Sequence, residues 1–184
     1  MIEPKIARMK KTKQSGFTLI ELLLVVIIIG VLSGLVLSVI NVAGIRARSR
    51  DAQRSGDLKR IQTALELYFA DNRGYPQNSA SWSRTPGILA TPLQGTYVQV
   101  IPIDPRNNEN IGAATCGMTT YGYYYRTNTC VGAGCLSSRY VLITLMETQT
   151  SAAQSLCNSL SNCTSGNVTG CNCGTPCYGV ENPL

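Results

Sequence analysis

From Phe17 to Ile40 the chain runs 24 residues with a single ionisable side chain, Glu21. A helix rises 1.5 Å per residue, so such a run spans about 36 Å, enough for the hydrocarbon core of a bilayer. The pattern predicts a membrane-spanning helix. It exceeds the roughly 7 to 15 apolar residues of an ordinary secretory signal, and no small-residue cleavage site closes it. Beyond the run, apolar positions continue at helical spacing through Leu58, Ile61, Leu65 and Tyr68, with Ala64 and Phe69 beside them. Arg54, Lys59, Arg60 and Glu66 fall elsewhere around that helix. One helix of roughly 50 residues, half anchor and half scaffold, is therefore predicted to run to about Asp71. Asn72-Arg73-Gly74-Tyr75-Pro76 stops it, with a glycine for a left-handed cap and a proline that cannot continue the helix.

Residues 77 to 110 mix Ser, Asn, Gly and Pro with short apolar runs, and Pro102, Asp104, Pro105, Asn107 and Asn108 mark turns, so the segment reads as a connecting loop. Tyr121 to Thr127 and Tyr140 to Glu147 are rich in aromatic and β-branched residues and read as two antiparallel strands. Tyr121, Tyr123 and Tyr125 alternate onto one strand face, which a helix-backed sheet would cover. The fold class is α+β, with a long N-terminal helix on a small antiparallel sheet.

Composition narrows the chemistry. The 184 residues include no histidine, and Lys59 is the one lysine after the apolar run, so the usual acids, bases and nucleophiles are missing and no enzyme is expected. Residues 1 to 16 carry Lys5, Arg8, Lys10, Lys11 and Lys13 against Glu3, a local charge of +4 out of the total +6. The basic balance thus reports on a leader and does not make nucleic acid an expected partner. A second basic run, Arg46, Arg48, Arg50 and Arg54, follows the apolar segment and nearly ties the positive-inside comparison. Lipid head groups or acids on a neighbouring subunit explain it more simply than DNA does. The dominance of early charges and the clustered cysteines place the N-terminus in the cytoplasm and the body outside it.

Glu21 calls for a function. An acid at the centre of a spanning helix costs about 2.5 to 3.5 kcal/mol, and no cation lies within its own helix. A cut before Phe17 would create an α-amino group at the helix start, with which Glu21 of another copy could pair. The segment Ser15-Gly16-Phe17-Thr18-Leu19-Ile20-Glu21, between a basic leader and an apolar run, resembles the processing motif of the type IV pilin family. The resemblance implies that a prepilin peptidase cuts after Gly16 and methylates Phe17, and that Phe17 and Glu21 register subunits during assembly. It also implies the pilin fold. The segments "DNRGYP" at Asp71 to Pro76, "YVQVIPIDP" at Tyr97 to Pro105 and "YVLITLME" at Tyr140 to Glu147 are most similar to the major pseudopilins of type II secretion systems. Filaments of the family often unwind this helix locally, which would put the unwound stretch between Gly30 and Ser38; alternatively, Gly30 and Gly34, spaced G-x-x-x-G, serve close helix packing.

The resemblance covers roughly residues 10 to 147 and stops at the tail. Major pseudopilins end in a calcium loop, whereas residues 148 to 184 here hold one acid, Glu181, so no calcium site is carried over. Asp104, Asn107, Asn108 and Glu109 offer an alternative set of oxygens that turn chemistry explains with less. All eight cysteines, Cys116, Cys130, Cys135, Cys157, Cys163, Cys171, Cys173 and Cys177, lie in the last third. In a polar tail with few apolar groups they read as disulfides substituting for a core, Cys130 and Cys135 closing the hairpin loop, with the remaining pairings open. No C-x-x-C pair or histidine supports a zinc or redox site, so no metal or cofactor is expected. Asn162 and Asn167 begin N-x-T sequons, the mark of an exposed loop.

The expected organisation is a cleaved leader over residues 1–16, a transmembrane and filament-core helix over 17–40, a pilin-like domain over 41–147 and a cysteine-rich tail over 148–184. The expected function is a structural subunit of a type IV filament, either a type II secretion pseudopilus or a surface pilus. Its partners would be the prepilin peptidase, other copies and minor pseudopilins, an inner-membrane assembly platform, and membrane lipid before assembly. The alternative is a membrane-anchored binding module, for adhesion or DNA uptake, acting through the tail.

Overall fold

The computed structural model describes residues 16–39, 41–78, 81–115, 117–128, 136–148, 159–168 and 177–183. They fall into two compact units, Met1–Asn41 and Val42–Leu184. In the first, α1 runs from Leu19 to Val39, and its 21 residues measure about 31 Å. Every described side chain from Phe17 to Val36 is exposed within the chain, so this helix has no polar side to turn to water. It is long and apolar enough to cross a membrane. Residues 30 to 38 are helical throughout, so the stretch proposed to unwind is not unwound here. The helix ends at Val39.

The second unit opens with α2, Val42–Asn72. The single long helix expected from the pattern is thus two helices, with Asn41 non-helical between them. Asparagine suits that position, since its side chain favours helix starts over helix interiors. One stripe of α2 is buried, through Asp51, Arg54, Asp57, Leu58, Ile61, Ala64 and Leu65. Its spacing is uniform while its chemistry changes at Leu58, charged before and apolar after. Arg54 therefore belongs to the buried face, contrary to the expectation from its charge. Glu66 is half-buried, and its two carboxylate oxygens accept hydrogen bonds from the hydroxyls of Tyr75 at 2.9 Å and Tyr140 at 2.8 Å.

The helix ends as its sequence suggests, but with roles exchanged. Arg73 takes the left-handed conformation at φ 60°, and its N–H donates to the Phe69 carbonyl at 2.7 Å. Gly74 is required for contact instead, because a Cβ there would lie 2.3 Å from the Leu136 Cβ. The chain passes that point to bridge Tyr75 with Ser137.

Residues 77 to 110 are not a simple loop. They supply β1 (Ser83–Arg84), α3 (Gly87–Leu93) and a buried Ile101, with Leu89 and Leu93 also in the core. Pro86 and Pro92 bracket and interrupt that short helix and hide its periodicity. A hairpin of β2 (Asn110–Thr115) and β3 (Met118–Thr120) follows, then β4 (Tyr123–Thr127), β5 (Tyr140–Leu145), the short α4 (Ser161–Thr164) and β6 (Cys177–Glu181). The main sheet has the order β1-β4-β5-β6 with all pairs antiparallel. The two predicted strands are its centre, in register Tyr125 opposite Leu142 and Leu142 opposite Val180.

Both faces of this sheet are covered. Tyr123, Tyr125, Tyr140, Leu142, Tyr178 and Val180 meet α2 and α3, while Tyr124, Val141, Ile143, Leu145 and Cys177 form a second cluster with Met118, Leu160 and Val168. Tyr121 does not join Tyr123 and Tyr125 as the alternation suggested. It precedes the strand, and its ring lies 4.7 Å from the guanidinium carbons of both Arg54 and Arg106.

The tail thus contributes a strand and part of the second cluster, neither of which its polar composition announced. Its two described cysteines, Cys163 and Cys177, are not free thiols. Cys116, Cys130, Cys135, Cys157, Cys171 and Cys173, and with them the expected closure of the hairpin loop, lie outside the described residues.

Candidate assembly site

Gly16, Phe17 and Thr18 are non-helical and lead directly into α1. Thr18 starts the helix: its Oγ1 accepts the Glu21 N–H at 3.3 Å and its carbonyl accepts the Leu22 N–H at 3.2 Å. Thr18-Leu19-Ile20-Glu21 has the S/T-x-x-E spacing of a capping box, a signal in the sequence that the reading of Glu21 as an intramembrane acid passed over. Glu21 accordingly has two local reasons to stand where it does, the cap and the positive end of the helix dipole. Its carboxylate is exposed, and among the described residues no cation lies within ion-pair distance of it. Phe17 is 82% exposed, four residues before Glu21. A cation for this acid has to come from outside the described residues of the chain.

The second constellation lies in the domain. Arg54 is 0% exposed and meets three carboxylates. Its Nε and Nη2 donate to Asp104 at 2.8 and 3.0 Å, and its Nη1 donates to Asp51 at 2.7 Å and to Glu147 at 2.8 Å. Arg50 Nε donates to Glu147 Oε1 at 2.7 Å, and Arg106 reaches Glu147 at 3.2 Å and Glu109 at 2.7 Å. Asp51 also accepts the backbone N–H groups of Glu147 and Thr148 and the Thr148 hydroxyl. Beside this set, the Tyr123 hydroxyl donates to Asp57 at 2.8 Å. The hydrogen bond from Arg50 holds the Glu147 carboxyl down to about 2, with Arg54 adding to the effect against the opposing cost of burial. Burial pushes the Arg54 guanidinium's pKa down, but its three acids more than reverse that, so it stays charged. Tyr75, Tyr123 and Tyr140 are all pushed up, first by burial and then by the carboxylates they donate to, so their hydroxyls remain proton donors.

Chemically this network is a fastener. It joins the first half of α2 to the Asp104–Glu109 turn and to the end of β5, regions that are 50 to 97 residues apart in the chain. Asp104, considered as a cation ligand, is committed to Arg54 and to the Arg106 N–H, while Asn108 bonds Arg84. Among the described residues no group of His, Cys, Asp and Glu suits a metal ion. The basic run divides: Arg50 and Arg54 are taken by acids, whereas Arg46 and Arg48 are exposed. The sequons divide too. Asn167 is exposed, but Asn162 is 1% exposed, its amide donating to the Tyr140 carbonyl and the Asn182 side chain and accepting from Arg139. The expectation that both mark exposed loops fails for Asn162.

An apolar helix exposed from Leu19 to Val36, led in by a glycine and an aromatic residue, with an acid in its first turn and an α+β unit after it in the chain, defines a class: proteins with an N-terminal anchor helix before a globular domain. Residues 11–37 match the family described as Prokaryotic N-terminal methylation motif. Type II secretion system core protein G of Aeromonas hydrophila is 33% identical over 106 residues, covering 54% of this chain and 73% of that protein. Its counterpart in Pseudomonas aeruginosa is 35% identical over the same shares, and that of Escherichia coli is 31% identical over 54% of this chain and 71% of its own length. The chain belongs to the type II secretion system core protein G family. No solved structure matches it.

Proposed function

We propose that the chain is a structural subunit of a type II secretion pseudopilus, made as a single-pass inner-membrane precursor. The observation that carries this reading is α1: 21 helical residues, exposed among the described residues from Leu19 to Val36, within and just beyond the methylation motif at 11–37. Exposed apolar surface on that scale needs either lipid or other helices, and a filament subunit uses the two in succession. Prepilin peptidase would cut after Gly16 and methylate Phe17. The new amine of Phe17 in one copy would then neutralise Glu21 of another, supplying the cation that the described residues lack. The N-terminus lies in the cytoplasm and the domain outside it, reaching the periplasm as part of the filament, with minor pseudopilins and an inner-membrane platform as further partners. Outside the cytoplasm the tail's cysteines pair as disulfides, which agrees with the bonded state of Cys163 and Cys177.

Mass spectrometry of the N-terminal peptide from membranes of the native cell tests the processing step. A chain beginning at methylated Phe17 is the expected result, and a leader retained through Met1 in every fraction would sink the reading. Glu21→Gln tests assembly. Membrane insertion should persist while filament formation falls at least tenfold, a loss on the order of the 1.4 kcal/mol that one removed charge pair readily exceeds in low dielectric.

A further inference from the structure

The start of α2 carries a surface that the fastener network leaves unused. Val42 and Ile45 are 49% and 57% exposed, and beside them Arg46 and Arg48 are exposed with no acid among the described residues within ion-pair distance. Their neighbours in sequence differ: Arg50 and Arg54 are held by Glu147, Asp51 and Asp104. The exposed group is therefore small and of mixed character, two apolar side chains and two guanidinium groups within seven residues.

We propose that Val42, Ile45, Arg46 and Arg48 form an interfacial collar for anionic phospholipid while the subunit waits in the membrane. The inference rests on α1 being the membrane anchor. Three steps along the chain separate Val39, the last residue of α1, from Val42, and even fully extended they reach about 10 Å, so the first turn of α2 stays near the bilayer surface. That zone suits the group's chemistry. Apolar side chains enter the boundary of the acyl region while guanidinium groups meet phosphate, for which their planar donors are shaped. Each basic residue near an anionic surface contributes through a field that extends about one Debye length, and Arg46 and Arg48 follow Val42 by only about 6 and 9 Å of helix. Because Arg46 and Arg48 form no ion pair among the described residues, releasing lipid when the subunit leaves the bilayer breaks no ion pair of the domain there.

The test uses the full chain in nanodiscs of phosphatidylcholine, with or without phosphatidylglycerol, and follows amide hydrogen exchange of residues 42–48. Phosphatidylglycerol should slow exchange there on the order of tenfold, and added salt should remove the protection. The double variant Arg46→Gln/Arg48→Gln should insert equally well, keep the thermal stability of the domain, and lose the lipid-dependent protection. Equal exchange in both lipids, or protection that survives in the double variant, overturns the proposal. So does protection that appears only on assembly into filaments without anionic lipid, which would assign the arginines to acids of a second copy. Failure of the chain to enter discs of either kind would instead sink the anchor reading, and the collar with it.

Discussion

Arg54 shows what a single buried charge requires. With no solvent access, its guanidinium is matched by Asp51, Asp104 and Glu147 and covered by the Tyr121 ring. Removing one partner of a buried pair leaves the others uncompensated, so Arg54→Ala is expected to cost about 3 to 5 kcal/mol, read from the urea midpoint of the full chain in detergent. Glu147 gives the network a pH limit. Its folded value of about 2 lies below the ordinary 4.5, so its contribution is complete above pH 4.5 and is lost as pH falls to about 2. The span corresponds to something on the order of 3 kcal/mol. Glu147→Gln should flatten that acid limb, and an unchanged limb would show that other carboxylates carry it. None of this was legible in the sequence. Arg54 looked like part of a basic run facing lipid head groups or a neighbouring subunit, because two of its three acids arrive from 50 and 93 residues away. Asn162 was misread for a similar reason, since a sequon says nothing of the backbone carbonyls that will surround it.

At the scale of elements, α1 and the central strands were readable because composition alone decides them. Twenty-odd apolar residues have few ways to be satisfied, and alternating aromatic residues fit a two-sided sheet. The elements that escaped notice are short or broken by proline, as in α3, or owe their existence to a distant partner, as β6 does to β5. Two glycines separate contact from conformation. Gly74→Ala should destabilise the domain, because the new methyl group meets Leu136, whereas Gly56→Ala in mid-α2 meets nothing within 4 Å and should stabilise it by about 1 kcal/mol. Thermal melting of the two variants side by side checks both signs. Equal shifts in one direction would mean that helix propensity or crowding has been misassigned.

For the whole molecule, the tail is a working part of the domain. Every side chain of β5 is buried, one neighbour being β4 and the other β6. A chain ending after Thr148 would bare the β6 side of that strand, leaving a row of unpaired backbone groups beside apolar residues. Such a truncation should aggregate, or lose cooperative melting, even though it retains every segment that resembles the major pseudopilins. A soluble, cooperatively folding product would show that β6 is dispensable. The division between a resembling body and a foreign tail was legible; that the tail completes the sheet was not, because strand pairing across more than thirty residues leaves no local mark.

The network around Arg54 also sets an order of events as the chain is made. Since synthesis runs from the N-terminus, residues 50 to 57 emerge long before Glu147 does. Their charges stay hydrated until the third acid arrives, and β5 then waits for β6, which follows it by more than thirty residues. The closing contacts span 93 residues or more, so folding is governed by these late, long loops rather than by helix formation. The domain therefore closes only once β6 is available to pair with β5, and a subunit offers no finished surface to a growing polymer before that.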